Sequence, residues 1–94
     1  MDQFTADDVK KILSLEHLSH FNWFEDRYPE ADEVGILKVA SGWRVYSSDE
    51  KAGCPYDVVH MDEPSALADF LKRLRATNEW LTLVTERRRR ELGL

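Results

Sequence analysis

The stretch EVGILKVASGWRVYSS, residues 33–48, has two runs rich in branched and aromatic residues on either side of a small turn. This pattern predicts a β-hairpin. We expect residues 40–42 to form a three-residue loop, with Gly42 in the left-handed conformation. A two-residue loop would pair Lys38 with Val45 and mix polar with apolar side chains on one face. The three-residue register places four apolar side chains on one face: Leu37, Val39, Trp43 and Val45. The other face then holds Ile36, Lys38, Arg44 and Tyr46.

Two further strands are predicted on either side of the hairpin. Residues 20–27, HFNWFEDR, are rich in aromatic side chains and end before a Tyr-Pro pair. Residues 56–61, YDVVHM, follow Pro55, which is tolerated at the start of a strand. The polar turn PEADE, residues 29–33, separates the first strand from the hairpin.

Helix signals occur towards both ends of the chain. Thr5 and Asp8 form a capping box that predicts a helix over residues 6–15. Asp62 caps a second helix, which has Pro64 in its first turn. A regular apolar stripe follows on the second helix: Leu67, Phe70, Leu71 and Leu74.

The apolar stripe changes phase near Asn78, because Trp80 and Val84 lie on a different helix face from Leu74. We therefore expect a break and a separate last helix over residues 79–92. The order α-β-β-β-β-α-α predicts one α+β domain spanning all 94 residues. Its four-stranded antiparallel sheet is packed by helices on one face, and its other face is open to water.

Charge is divided unevenly along the chain. The net charge is −5, but residues 1–64 hold 14 Asp/Glu against 6 Lys/Arg, and residues 65–94 hold 4 against 7. An acidic body of this kind is poorly suited to a nucleic-acid backbone, except through its basic end. Arg87–Arg90 sweep about 300° around a helix and cannot all reach one groove. We interpret them as the solvated end of the last helix, where cations favour the helix dipole.

Composition indicates a folded, water-soluble protein, with 43% hydrophobic and 33% charged residues. The apolar runs are only a few residues long, so no membrane span is expected. The acidic N-terminus has no apolar region that would predict a signal peptide. Cys54 is the only cysteine, which excludes an intrachain disulfide and fits a cytoplasmic location.

No residue pattern predicts catalysis or metal binding. His17 and His20 have a spacing that a helix could bring together, but no second ligand pair completes a zinc site. Cys54 and His60 would stand about 20 Å apart on a continuous strand, too far for a catalytic dyad. We therefore expect no enzyme activity, no metal and no cofactor.

The open sheet face is the candidate binding surface. Because successive strand residues point to opposite faces, Tyr46 points away from Trp43 and Val45, and we expect it to be an exposed aromatic anchor. Acidic residues are expected to form a charged rim near this anchor: Glu25, Asp26, Glu30, Asp32, Glu33, Asp49 and Glu50. The simpler interpretation, in which these acids only keep the protein soluble, stays open at this stage.

Two blocks of the sequence resemble a known family. GWRVYSSDEKAG, residues 42–53, is a strand that runs into a charged turn, and EPSALADFLKRLR, residues 63–75, is an amphipathic helix. Together they resemble small bacterial immunity proteins of polymorphic and contact-dependent toxin systems, with the Imm59-like group nearest. The resemblance covers about residues 12–76, and the basic last helix lies outside it.

The resemblance implies a non-catalytic inhibitor that binds a cognate protein toxin in the bacterial cytoplasm. Many such toxins are nucleases with a basic cleft, which an acidic inhibitor can occupy in place of phosphates. The sequence leaves open whether the inhibitor is a monomer or a homodimer. The alternative, from another class, is a small nucleic-acid-binding or regulatory module that uses the basic residues of the last helices: Lys72, Arg73, Arg75 and Arg87–Arg90.

Overall fold

The computed structural model describes residues 5–93, in which two helices pack against a four-stranded sheet. In chain order the elements are α1 (Ala6–Leu15), β1 (Phe21–Trp23), β2 (Val34–Val39), β3 (Gly42–Ser47), β4 (Tyr56–His60) and α2 (Glu63–Glu91). The prediction of an α+β fold with four strands is confirmed. Both predicted helix caps form: the Thr5 side chain accepts from the Asp8 N–H, and the Asp62 side chain accepts from the Ser65 N–H.

The sheet is mixed, so the prediction of a wholly antiparallel sheet is wrong. The strand order is β1-β2-β3-β4, with β1 parallel to β2 and the other two pairs antiparallel. β1 has only three residues, and it is bounded by His20 and Phe24, whose φ angles of 64° and 59° are left-handed. Residues 24–33, the crossover segment, then return to the start of β2, because parallel strands cannot be joined by a tight turn.

The hairpin register differs from the prediction by one residue. Lys38 pairs with Trp43, so the loop has two residues rather than three. Lys38 is tolerated beside Trp43 because its ammonium lies 4.4 Å from the centre of the indole ring and donates to two backbone carbonyls at the turn. Gly42 is required by the neighbouring strand: a Cβ there would lie 2.1 Å from the His60 carbonyl oxygen.

The core lies on the face of the sheet that the helices cover, as predicted. Its buried members come from both helices and from β2 and β3: Val9, Leu13, Val34, Ile36, Val45, Ala66, Leu67, Phe70 and Leu74. The shifted register places Ile36 in this core opposite Val45, whereas Leu37 lies on the helix-free face. Burying a side chain of this size stabilises the fold by roughly 1.5–3 kcal/mol, so burial of Ile36 helps to fix the register.

α2 is one continuous helix of 29 residues, so the predicted break and the separate last helix are wrong. The change of apolar phase is real: Trp80 and Val84 are 55% and 42% exposed. The Asn78 side chain donates to the Leu74 carbonyl and bonds the backbone of Ser19, which lies between α1 and β1. Asn78 therefore holds α2 against the loop between α1 and β1 without interrupting the helix, which continues for about three and a half more turns. Within residues 5–93, no helix is both long and apolar enough to cross a membrane.

Candidate protein-binding surface

Tyr46 points to the helix-free face, but it is fully buried. Its hydroxyl bonds Glu33, the last residue of the crossover segment, and the Arg44 guanidinium lies 5.0 Å from the centre of its ring. Gly35 lies opposite Tyr46 in β2, where a Cβ would come within 2.2 Å of the ring. The expectation of an exposed aromatic anchor is therefore wrong, because the direction of a side chain does not show which neighbouring groups surround it.

The Tyr46 hydroxyl belongs to a buried hydrogen-bond network. It donates to Glu33 Oε1 at 2.7 Å and accepts from Asn22 Nδ2 at 3.1 Å. Arg27 donates to both carboxylate oxygens of Glu33, at 3.0 and 2.6 Å, in the bidentate geometry of strong Arg–carboxylate pairs. Glu33 is only 3% exposed, so this predicted rim residue is not free to contact a partner.

The network also sets the ionisation of its members. Burial raises the pKa of Glu33, but hydrogen bonds from Arg27, Tyr46 and the Glu30 N–H outweigh it, and the pKa lies below its ordinary value. Burial and the bond to Glu33 raise the pKa of Tyr46 to about 12. At neutral pH, Glu33 is therefore a carboxylate and Tyr46 a neutral donor, which is the pairing that the geometry needs.

Asn22, which sequence reasoning missed, fixes the start of the crossover segment. It is fully buried and bonds Glu25 twice: Nδ2 donates to the Glu25 carbonyl and Oδ1 accepts from the Glu25 N–H, each at 2.9 Å. Arg27 Nε donates to the Glu25 carboxylate at 3.0 Å. At the other end, Glu33 accepts from the Glu30 N–H at 3.2 Å. Side chains therefore hold the segment at both ends, although it contains no helix or strand.

The crossover segment is joined to the β3–β4 loop, residues 48–55. The Asp32 N–H donates to the Asp49 carbonyl at 2.9 Å, and the Ser48 N–H donates to the Glu33 carbonyl at 2.7 Å. Ser48 Oγ also accepts from the Glu33 N–H at 2.7 Å. These bonds bring together two acidic stretches that are distant in sequence. We call the resulting surface the acidic platform: Glu25, Asp26, Glu30, Asp32, Asp49 and Glu50.

The acidic platform contains every predicted rim residue except Glu33. Five of its six acids are exposed, and Asp32 is half-buried. Asp49 also serves its own loop, since Oδ1 accepts from the Lys51 and Gly53 N–H groups at 2.9 Å. A surface of this kind concentrates negative charge on loops that are already ordered, and it attracts a basic partner.

The basic residues of α2 are partly neutralised. Arg75, in the middle of α2, forms a bidentate pair with Glu16, the residue that caps the C-terminus of α1. Arg87–Arg90 are all exposed, and Arg87 Nε lies 3.6 Å from a Glu91 carboxylate oxygen. The exposure of the arginine run agrees with its interpretation as a solvated helix end.

Asp69 is the centre of a second polar cluster, which includes Arg73, four residues further along α2. The Asp69 side chain is 14% exposed. Its carboxylate accepts from the Tyr56 hydroxyl at 2.6 Å and from Arg73 Nε at 2.9 Å. The same carboxylate lies 2.8 Å from His60 Nε2. Burial raises the pKa of Asp69, but bonds from Tyr56 and His60 and the charge of Arg73 outweigh it and lower the pKa. The cluster joins α2 to β4 and occupies Arg73, which also stacks 3.0 Å from the centre of the Tyr56 ring.

Cys54 is a half-buried thiol. Burial raises its pKa, which disfavours the nucleophilic thiolate. His17 and His20 are exposed and lie between α1 and β1, both with left-handed backbone conformations. Across the 89 residues from 5 to 93, no three His, Cys, Asp or Glu side chains are grouped so that they could hold a metal ion.

Comparison with known proteins finds no relative from which a function could be transferred. No protein-family model matches the chain, and neither a curated protein nor a solved structure matches it.

Proposed function

We propose that this protein is a non-catalytic immunity protein that binds a cognate toxin domain in the cytoplasm and neutralises it. The observation that carries the proposal is the acidic platform, in which two acidic stretches are fixed together by hydrogen bonds and a buried network. The resemblance of residues 42–53 and 63–75 to small immunity proteins supports the same function.

A fixed acidic surface suits a basic toxin for two physical reasons. Its field attracts the partner and raises the association rate by roughly 10- to 1000-fold. Its loops are already held by Asn22, Arg27 and Glu33, so little conformational freedom is lost on binding. If the toxin is a nuclease, the carboxylates of the platform would take the place of substrate phosphates in its cleft.

Tyr46 and Glu33 have a supporting role in this proposal. Both are buried, and both hold the crossover segment instead of touching the partner. The acids best placed for contact are exposed and make no side-chain hydrogen bond within the described residues: Asp26, Glu30 and Glu50. Glu25, Asp32 and Asp49 lie beside them in the same loops.

The proposal is tested by co-expression with the toxin domain encoded by the neighbouring reading frame. The wild-type chain should restore growth, and the double variant Glu30→Lys plus Glu50→Lys should restore it poorly. A matched control makes the same change of charge at two exposed acids of α2: Glu79 and Glu86. The proposal would be overturned if the wild-type chain neither restored growth nor bound the toxin domain, and if the neighbouring reading frame encoded an ordinary metabolic enzyme.

The nucleic-acid alternative is separated by a gel-shift titration at low and physiological salt. Binding through phosphates weakens steeply as salt rises. Arg73 and Arg75 are already ion-paired, and Arg87–Arg90 spread around the helix and cannot all reach one groove, so we expect no shift at low salt. A shift that disappears when residues 86–94 are removed would support the nucleic-acid module and contradict our proposal.

A further inference from the structure

The two edges of the sheet differ in how well they can accept another strand. β1 is three residues long, and the left-handed backbones of His20 and Phe24 close it at both ends. β4 has five residues and pairs only with β3 within the described chain. Alternate residues of an antiparallel edge strand direct their N–H and C=O groups outwards. β4 therefore presents a free hydrogen-bonding edge that β1 does not.

The side chains of β4 leave this edge open. Val58 and Val59 are 37% and 44% exposed on opposite faces of the sheet, and Met61, directly after the strand, is 90% exposed. Natural edge strands are usually blocked by lysines, by bulges or by covering loops. β4 contains no lysine, and its one carboxylate, Asp57, is paired with Arg44 of β3. Apolar side chains therefore flank an uncovered edge.

The charges at the two ends of β4 decide which kind of strand fits. Asp49, Glu50 and the exposed Lys51 precede the strand, with a net charge of −1, and Asp62 and Glu63 follow it, with a net charge of −2. A second copy of β4 on this edge would place acidic residues next to acidic residues, whether it ran parallel or antiparallel, and like charges repel. An extended segment with lysines or arginines at its ends would meet opposite charge at both ends of β4.

We infer that the toxin contributes an extended, basic segment that adds to the outer edge of β4 as a fifth strand. The inference rests on the proposed function and names how the partner of the acidic platform docks. In strand addition, backbone hydrogen bonds supply affinity, and the pockets for alternate side chains supply specificity. Val58 and Val59 would contact alternate side chains of the added strand, while Asp49 and Glu50 would contact its basic flank.

The test compares Val59→Lys with a control of the same chemistry, Val84→Lys on α2. The two valines have nearly equal exposure, 44% and 42%, and both changes add one positive charge. Affinity for a catalytically inactive form of the toxin domain is measured by titration calorimetry. Val59→Lys should weaken binding roughly tenfold or more, because a charge on the edge blocks strand pairing, and Val84→Lys should change it less than about twofold.

Hydrogen exchange of the complex gives a second, backbone-specific reading. The outward amides of β4 should become protected when the toxin domain binds, and the amides of β1 should not. A complex in which both variants bind equally and β4 exchange is unchanged overturns strand addition and leaves the proposed function standing. No complex at all overturns both. A wild-type dimer that Val59→Lys dissociates in sedimentation would show a second copy on the edge and overturn the inference as well.

Discussion

Replacing Tyr46 with Phe tests the buried network that holds the acidic platform in place. The change keeps the ring over Gly35 but removes the hydroxyl, which donates to Glu33 and accepts from Asn22. The lost bond to the Glu33 carboxylate is a hydrogen bond to a charged group, which contributes roughly 1.5–3 kcal/mol. One N–H of the buried Asn22 amide also loses its acceptor, and a buried donor left without a partner costs roughly 1–3 kcal/mol. Glu33 keeps its bonds from Arg27, so we expect a loss of about 2–4 kcal/mol in the free energy of unfolding.

A loss of this size is readily measured in a domain of 94 residues. One kcal/mol shifts the melting temperature by about 4–8 °C for 60–100 residues, so Tyr46→Phe should melt about 8–32 °C lower by circular dichroism. The control is Tyr28→Phe: Tyr28 is 93% exposed, and its change should stay within about 0.5 kcal/mol. If both variants unfold like the wild type in urea, the hydroxyl does not hold the crossover segment and the reasoning is refuted.

Three further predictions follow from the same contacts. Gly35→Ala should lose about 1–3 kcal/mol or more, because its Cβ would meet the Tyr46 ring at 2.2 Å, and thermal melting would show it. In the folded protein, the pKa of Asp69 lies below its ordinary value of 3.8, so its ionised form stabilises the fold above that pH. This stabilisation is lost as the pH falls through the lower pKa of the folded state. In urea unfolding measured over a series of pH values, Asp69→Asn should therefore reduce the loss of stability at acid pH. Glu30→Lys plus Glu50→Lys should slow association with the toxin domain by roughly tenfold and reduce its dependence on salt in stopped-flow experiments, whereas the same change at Glu79 and Glu86 should not. Asp49 is left unchanged in this pair because its carboxylate holds its own loop.

The elements that depend on neighbours in sequence could be predicted. The capping residues Thr5 and Asp62 gave the starts of both helices, and the apolar stripe gave the face of α2 that packs on the sheet. The hairpin register could not be predicted, because a glycine at residue 42 is typical of a turn. Gly42 instead lies in β3, where a Cβ would collide with the His60 carbonyl oxygen of the adjacent strand. The end of the core stripe near Asn78 predicts a helix break, but that side chain anchors the helix to a distant loop instead.

The charge of the candidate surface could be predicted, but the burial of Tyr46 and Glu33 beneath it could not. The alternation of β3 correctly turns Tyr46 away from the helices, yet nothing in that alternation shows that Tyr46 is buried among Asn22, Glu33 and Arg44. The parallel pairing of β1 and the burial of Glu33 depend on bonds made by Asn22 and Arg27 across the crossover segment. The one signal in the sequence was Gly35, because a glycine in the middle of a strand often marks a close approach of another group.

In our proposal, the acidic platform binds a basic toxin domain. The most direct measurement is calorimetric titration of the purified chain, at physiological salt, with a catalytically inactive form of the proposed toxin domain. We expect a saturable complex that Glu30→Lys plus Glu50→Lys weakens and that the matched change at Glu79 and Glu86 leaves intact. A chain that shows no binding heat even at low salt, or a complex that the two double variants affect equally, would contradict it.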